Sequence, residues 1–364
     1  MTFVSGLESA VPVLVVAFVA AALGALILTP VVRRLARRYD IVDLPDERRV
    51  NVRPIPRGGG LAVAAAFVLV VVGVLVVNDR ASLLRVPASI GSGELVALLA
   101  GGALAALVGG LDDYFQLRAR WQLAGQLAIA LGAVALGISV DFINNPLGPG
   151  RINFGWPLSV AFTTLWILGM INSINFIDGL DGLSSGVGLI AAVTLGLISL
   201  TTTIGQPLVA VFCFALAGAL LGFLRWNFHP ASIFTGTSGV MFVGYTLGIL
   251  SILGTAKVAV ALLVLGVPII DTFWIIVRRL VGGRSPFSPD RGHIHHRLLD
   301  LGLSHTQAVV LIYGLCVVLA LLSFVLSGTG QLYAFLGIVV GSGVVLFLIA
   351  REELSAESYP NGRR

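Results

Sequence analysis

Eleven stretches of this chain, near 10–30, 58–77, 95–111, 122–138, 158–175, 184–202, 206–224, 238–254, 256–277, 307–326 and 331–350, carry almost no charge. Each reaches the roughly 17–25 apolar residues needed to cross about 30 Å of hydrocarbon. A chain with such runs cannot fold as a soluble domain. Soluble domains carry about 25% charged residues, whereas this one is 11% charged and 57% hydrophobic. Within lipid every backbone amide must be satisfied inside its own segment, which leaves the α-helix. The expected fold is therefore an all-α polytopic integral membrane protein, a bundle of ten or eleven transmembrane helices in one domain, 1–350. The tail, 351–364 with "SAESYPNGRR", is expected to be a short cytoplasmic disordered segment. Glu8 stands where a signal peptide would be basic, so the first run reads as a retained span. Cys213 and Cys316 lie inside apolar runs and read as packing residues without disulfides.

The basic residues then orient the bundle. Eleven spans place nineteen of the 23 lysines and arginines on the side of the 31–57 loop, and only Arg80, Arg85, Arg151 and Lys257 on the other. The richer side is expected to be cytoplasmic. The net charge of +5 is thus a topology signal with some attraction for anionic lipid and ligand; no nucleic-acid partner is implied.

Four polar clusters from distant parts of the chain, Asp112 with Asp113, the 172–186 stretch, Asn227 and "DRGHIHHRL" (290–298), fall on that same side. In "NSINFIDGLDGLSSG" (172–186), Asn172, Asn175, Asp178 and Asp181 recur every three residues. That step drifts around a helix, so the four cannot share one face of an unbroken helix. Gly179 and Gly182 resolve the conflict if the helix ends near Ile177 and "DGLDG" is a turn that can wrap a ligand. A plain polar connector is the other reading, but two asparagines inside an apolar period need partners. Asp112 and Asp113 end another run; adjacent carboxylates suit either a cation such as Mg²⁺ or a solvated cap beside Arg118 and Arg120. In "SPDRGHIHHRL", His293, His295 and His296 stand among Arg284, Arg291 and Arg297. The arginines disfavour zinc and favour phosphate. Arg57 and three glycines in "PIPRGGG" form either a close backbone approach to a ligand or a simple membrane-entry turn. Asp271, inside a span, is a functional candidate or the partner of a neighbour such as Arg278. His229 and His305 have no comparable company and read as loop residues. A site at a membrane rim suits a soluble reactant meeting a lipid-borne one; a transporter would more naturally bury such groups near the midplane.

These residues, together with "VDLPDERRVNVRPIPRGGG", "LVGGLDDYFQLRARWQL" and "GFLRWNFHPASIF", resemble the polyprenyl-phosphate N-acetylhexosamine-1-phosphate transferases, glycosyltransferase family 4, relatives of the phospho-MurNAc-pentapeptide translocase. The motifs run in family order from about 31 to 306, and "HIHHRL" resembles the GlcNAc-1-phosphate branch. The resemblance implies a bacterial cytoplasmic-membrane enzyme with a cytoplasmic-face cleft. It would move a HexNAc-1-phosphate from a UDP-sugar to a polyprenyl phosphate such as undecaprenyl phosphate, release UMP, and start a lipid-linked envelope glycan. Mg²⁺, with Mn²⁺ as a substitute, would be the cofactor, and a homodimer is open. By matched position, Asp112, Asp113 and Asp178 would be catalytic, the first two beside the lipid phosphate. Asn175 would lie on the metal side, and Asn172, Asp181 and Asn227 would bind substrate with Arg57, His293, His295, His296 and Arg297.

Four positions depart from the family pattern. The motif F-x-G-D-x-G-S reads "FTGTSGV" here, with Thr237 at the metal-binding aspartate and Val240 at the serine. Asn51 replaces a usual histidine and Gln122 a common lysine. Two readings follow: an active transferase in which Thr237 is at most a weak ligand and the metal site shifts to Asn175, Asp178 or Asp112, and a degenerate homologue that binds lipid phosphate or nucleotide without turnover.

Overall fold

The structure is a computed structural model that describes residues 7–44, 53–84, 86–87, 90–145, 148, 150–201, 205–254, 257–281, 293–326 and 329–341. Asn51, Arg284, Arg291 and the 351–364 tail lie outside the described residues, as does part of the last expected span.

The chain runs through α1 (Leu7–Arg38), the short antiparallel pair β1 (Val42–Asp43) and β2 (Ile55–Pro56), α2 (Gly60–Ala81), α3 (Ser92–Val96), α4 (Gly102–Phe115) and α5 (Ala119–Ala135). A second hairpin, β3 (Phe142–Asn144) with β4 (Arg151–Asn153), leads into α6 (Trp156–Ile177), α7 (Leu183–Ser199), α8 (Pro207–Asn227) and α9 (Gly236–Leu253). Then come α10 (Lys257–Val264), α11 (Gly266–Val281), α12 (Ile294–Asp300), α13 (His305–Val325) and a helix at Thr329–Gly341. A π-helical turn at Ala97–Gly101 joins α3 and α4 into one span, and the Ala97 carbonyl accepts a 2.7 Å hydrogen bond from Tyr245.

As far as the described residues reach, the expected spans fall on helices, but not all are single long ones. Seven helices are long and apolar enough to cross a membrane, or eight if α10 and α11, bent by 77° at their junction, form one. The remaining expected spans fall on α5 and α7, of 17 residues each, and on Thr329–Gly341. An apolar run gives length in residues, and it cannot show where a helix begins, as α5 does at Ala119, or that a run bends. The protein is a multi-pass all-α membrane protein.

Helices α8 and α9 are apolar all round and almost wholly buried, the pattern of central helices. Around them α1 and α7 pack on α8, and α4 and α6 pack on α9. Gly218 and Gly222, four apart, bring α8 against α1 so closely that a Cβ on either would meet the carbonyl of Phe18 or Ala22 at 2.1 and 2.0 Å. Gly60 brings α2 equally close to Gly239 of α9. The outer helix faces, such as Val15, Val16, Val19, Leu23 and Ile27 of α1, are exposed and suit contact with lipid.

Candidate functional site

The C-terminal ends of α4, α6 and α8 and the N-terminal ends of α2, α7 and α9 meet at one end of the bundle. Helix α6 stops at Ile177, where the sequence placed its end, and Asp178 to Gly182 turn the chain into α7. Phe228 to Thr235 perform the same reversal between α8 and α9. The peptide after β2 runs alongside this second turn: Phe234 N donates to Pro56 O (2.8 Å), while Gly59 N and Gly60 N donate to Phe234 O and Thr235 O (both 2.9 Å). This ladder fixes Arg57 next to the α9 N-terminus.

Asp113 is the buried anchor of that junction. Its two oxygens accept the backbone N–H groups of Thr237 (2.8 Å) and Ser238 (3.0 Å), capping α9 from α4. Gly236, at φ +70°, lets the chain pass: a Cβ there would sit 2.5 Å from the Asp113 carboxylate. The Arg57 guanidinium lies 3.8 Å from Asp113 and 3.6 Å from Asp43. Asn227 ties α7 to α8. It accepts from Ser185 Oγ (2.8 Å) and donates to Ile233 O (3.1 Å).

In front of this scaffold opens a cavity of about 760 Å³ whose wall includes Arg57, Asp178, Asp181, Asn227, Thr235 and His296. Asp178 accepts from Ser184 Oγ, which lies 3.3 Å from Thr235 Oγ1. Withdrawal from water pushes the Asp178 carboxyl up to about 7; Asp113 adds to this, against the hydrogen bonds of Ser184 and Thr235 and the charge of Arg57. It is thus poised to exchange a proton near neutrality.

The other expected residues divide. Asp112 faces its own chain, accepting Leu117 N and Gln122 Nε2, both at 2.9 Å, which gives the departure at Gln122 a local partner. Asn172 pins α6 to α5 by donating to Gln126 Oε1 (2.8 Å). Asn175 is half-buried on the last turn of α6, and Thr237 is half-buried at the start of α9. The histidines split as well. His293 is buried on Asp271 (Nδ1 to Oδ2, 2.8 Å), which also accepts Ile294 N (2.9 Å) and so anchors α12; Asp271 thus has a histidine partner, and the Arg278 side chain lies outside the described residues. His295 is buried against Gly179, and burial, with the neighbouring His296 and His293, holds it down at about 3, hence neutral. Only His296 of the three lines the cavity, and Arg297 lies outside its wall.

Sequence reasoning missed one group. Asp181 pairs with His229 Nδ1 (2.8 Å) and accepts Ala231 N (3.0 Å), and the His229 ring stacks on His305 at 4.2 Å. Nothing local announces this contact between turns 48 residues apart.

A membrane-embedded helical bundle thus carries at one end a cavity lined by arginine, carboxylate and imidazole, the chemistry of a site for phosphorylated ligands. The comparisons with known proteins agree. The profile described as glycosyl transferase family 4 matches residues 95–255. Over 306 residues, 82% of this chain and 81% of the relative, it is 38% identical to the probable undecaprenyl-phosphate N-acetylglucosaminyl 1-phosphate transferase of Bacillus subtilis (strain 168). The decaprenyl-phosphate N-acetylglucosaminephosphotransferase of Mycolicibacterium smegmatis is 36% identical, over 87% of this chain and 84% of its own length. The undecaprenyl-phosphate alpha-N-acetylglucosaminyl 1-phosphate transferase of Escherichia coli (strain K12) is 29% identical, over 77% and 75%. The chain belongs to glycosyl transferase family 4. These relatives bear the names of transferases, and the degenerate reading finds no support among them.

Proposed function

We propose that this protein transfers N-acetylglucosamine-1-phosphate, or a closely related HexNAc-1-phosphate, from a UDP-sugar to a membrane polyprenyl phosphate, releasing UMP and starting a lipid-linked envelope glycan. The observation that carries the proposal is the convergence of Arg57, Asp178, Asn227 and His296 on one cavity at the end of the bundle. Its location lets a lipid head group and a soluble nucleotide meet at one depth. Arg37, Arg53 and Arg57 on the same wall favour a cytoplasm-facing site in the inner membrane.

In the reaction an oxygen of the lipid phosphate attacks the β-phosphorus of the UDP-sugar, the bond from that phosphorus to the bridging oxygen breaks, and UMP departs with the electron pair. A phosphate monoester loses its second proton near pH 6, so near neutrality the lipid phosphate is largely ionised and can attack without a strong base. Arg57, held by Asp43 and Asp113, presents a fixed positive charge to the diphosphate. His296 supplies a further hydrogen-bonding group.

The donors present fit a hard divalent cation. Asp178 offers a carboxylate at the cavity wall beside Thr235, whereas Asn175 and Thr237, which the resemblance assigns to the metal, are not part of that wall; Mg²⁺ is commonly held by one or two carboxylates plus substrate phosphates. Bound there, Mg²⁺ would neutralise diphosphate charge, with Asp178 as its protein ligand. Purified protein supplied with UDP-GlcNAc, undecaprenyl phosphate and Mg²⁺ should release UMP, and Asp178→Asn and Arg57→Ala should each lower the rate at least a hundredfold. An absence of UMP across UDP-GlcNAc and UDP-GalNAc, from protein that elutes as one folded species, would refute the proposal.

A further inference from the structure

We propose that Asp181, His229 and His305 form a transition-metal site on the rim of the cavity, suited to Zn²⁺ or another ion that prefers nitrogen ligands. The site is distinct in chemistry from the Mg²⁺ reading at Asp178 and does not depend on it.

The three side chains come from the turn after α6, the turn after α8 and the first residue of α13, yet their ligand atoms all lie within 4.8 Å of one another. Two imidazoles and one carboxylate form a mixed nitrogen and oxygen set that suits Zn²⁺, Co²⁺ or Ni²⁺ better than the all-oxygen preference of Mg²⁺. A second, independent observation points to a ligand. Both ring nitrogens of His305 are buried without a hydrogen-bond partner of good geometry. Buried polar atoms in that condition are uncommon and costly, and a metal bond to one of them would relieve it. The Asp181 carboxylate is already oriented by Ala231 N at 3.0 Å, the kind of outer contact that fixes a metal ligand.

Some movement is required. The His229 and His305 rings are stacked with only 20° between their planes, so their in-plane lone pairs cannot meet at one ion. His229, with its side chain 41% exposed, is free to turn out of the stack, whereas His305 is held by α13. The 2.8 Å bond between His229 and Asp181 then gives way to two bonds to the metal. Arg37 and Arg53 line the same cavity and oppose a cation, so the negative charge of Asp181 is indispensable. Three protein ligands leave the fourth tetrahedral position open to water or to a phosphate oxygen of a bound ligand.

The test uses full-length protein without a polyhistidine tag, purified in detergent, stripped with a chelator and titrated with Co²⁺ and Zn²⁺. The proposal expects about one equivalent of metal after dialysis and the visible absorption of tetrahedral Co²⁺. Both should be lost in His229→Gln and His305→Gln, and affinity should fall at least tenfold in Asp181→Asn. Because His229 is exposed, His229→Gln should keep the wild-type elution profile even if His305→Gln does not fold. Asp178→Asn and Arg57→Ala should keep the metal while losing turnover, which separates failure of this site from failure of the transferase reading. Wild-type protein that retains no Co²⁺, or His229→Gln that retains as much as wild type, overturns the proposal.

Discussion

Replacing Gly60 by alanine should damage the site without touching any side chain in it. A Cβ at Gly60 would lie 1.9 Å from the Gly239 Cα and 2.1 Å from its nitrogen, both backbone atoms that cannot swing aside. Ordinary contact begins at 3.4 Å, so α2 and α9 must part by about 1.5 Å. Overpacking of this kind costs about 1–3 kcal/mol. The separation also strains the two 2.9 Å bonds from Gly59 and Gly60 to the 234–235 turn, each worth about 0.5–1.5 kcal/mol. Together the expected loss is about 3–5 kcal/mol, on the order of 5–10 °C in thermal midpoint. Arg57 moves with α2, and a misplacement of about 1 Å at a reacting centre can lower turnover about a hundredfold. Thermal unfolding in micelles and the initial rate of UMP release read the two effects. Gly73→Ala is the control: it lies in the same helix with nothing within 4 Å of the added carbon, so it should leave both unchanged or slightly raise stability. A Gly60→Ala protein with wild-type midpoint and turnover would show that the close approach of α2 and α9 does not position the site.

Asp113→Asn should be far worse than Asp112→Asn. An amide at 113 can accept only one of the two N–H groups it now caps and must turn its own NH₂ toward the other, costing about 2–4 kcal/mol, whereas at 112 one oxygen takes both bonds and an amide can replace it; equal losses in denaturant unfolding would contradict this. Asp178 and His295 bias stability in opposite directions with pH. Asp178 is raised from 3.8 to about 7, so the fold favours its protonated form and loses stability as pH rises through that window. His295 is lowered from 6.5 to about 3, so the fold favours its neutral form and loses stability as pH falls through that one. Between about 4 and 6.5 the slopes oppose: His295→Gln should give protein that weakens as pH rises, and Asp178→Asn protein that weakens as it falls. Identical pH–stability curves for the two variants would refute both assignments. Asp271→Ala should free the N-terminus of α12 and shift His296, lowering turnover, while Asp271→Asn, still able to accept Ile294 N, should recover part of it; equal rates for the two would remove the anchoring role.

Several features of the site were legible in the chain because they follow from local chemistry. The end of α6 near Ile177 follows from asparagines and aspartates recurring out of helical phase before Gly179 and Gly182. Arg57 and Asp178 could be picked out because ionisable or polar groups are conspicuous beside apolar runs. The roles of neighbours were not legible. Asp112 and Asp113 are adjacent and chemically identical, yet one caps its own turn while the other caps a helix 124 residues away. His293, His295 and His296 form one motif, but a single helical turn sends them to Asp271, to Gly179 and to the cavity wall respectively. His229 and His305, dismissed for lack of local company, owe their importance wholly to Asp181.

The sequence by itself determined that this protein must be helical, must lie in a membrane and must gather its polar residues at one end, because an uncharged run of sufficient length has no other stable solution in lipid. Only the tertiary structure decided which of those residues face the cavity and which serve as joints. That choice depends on the rotation of each helix and on how closely two backbones approach, as at Gly60 and Gly239, and both are set by packing between segments far apart in the chain.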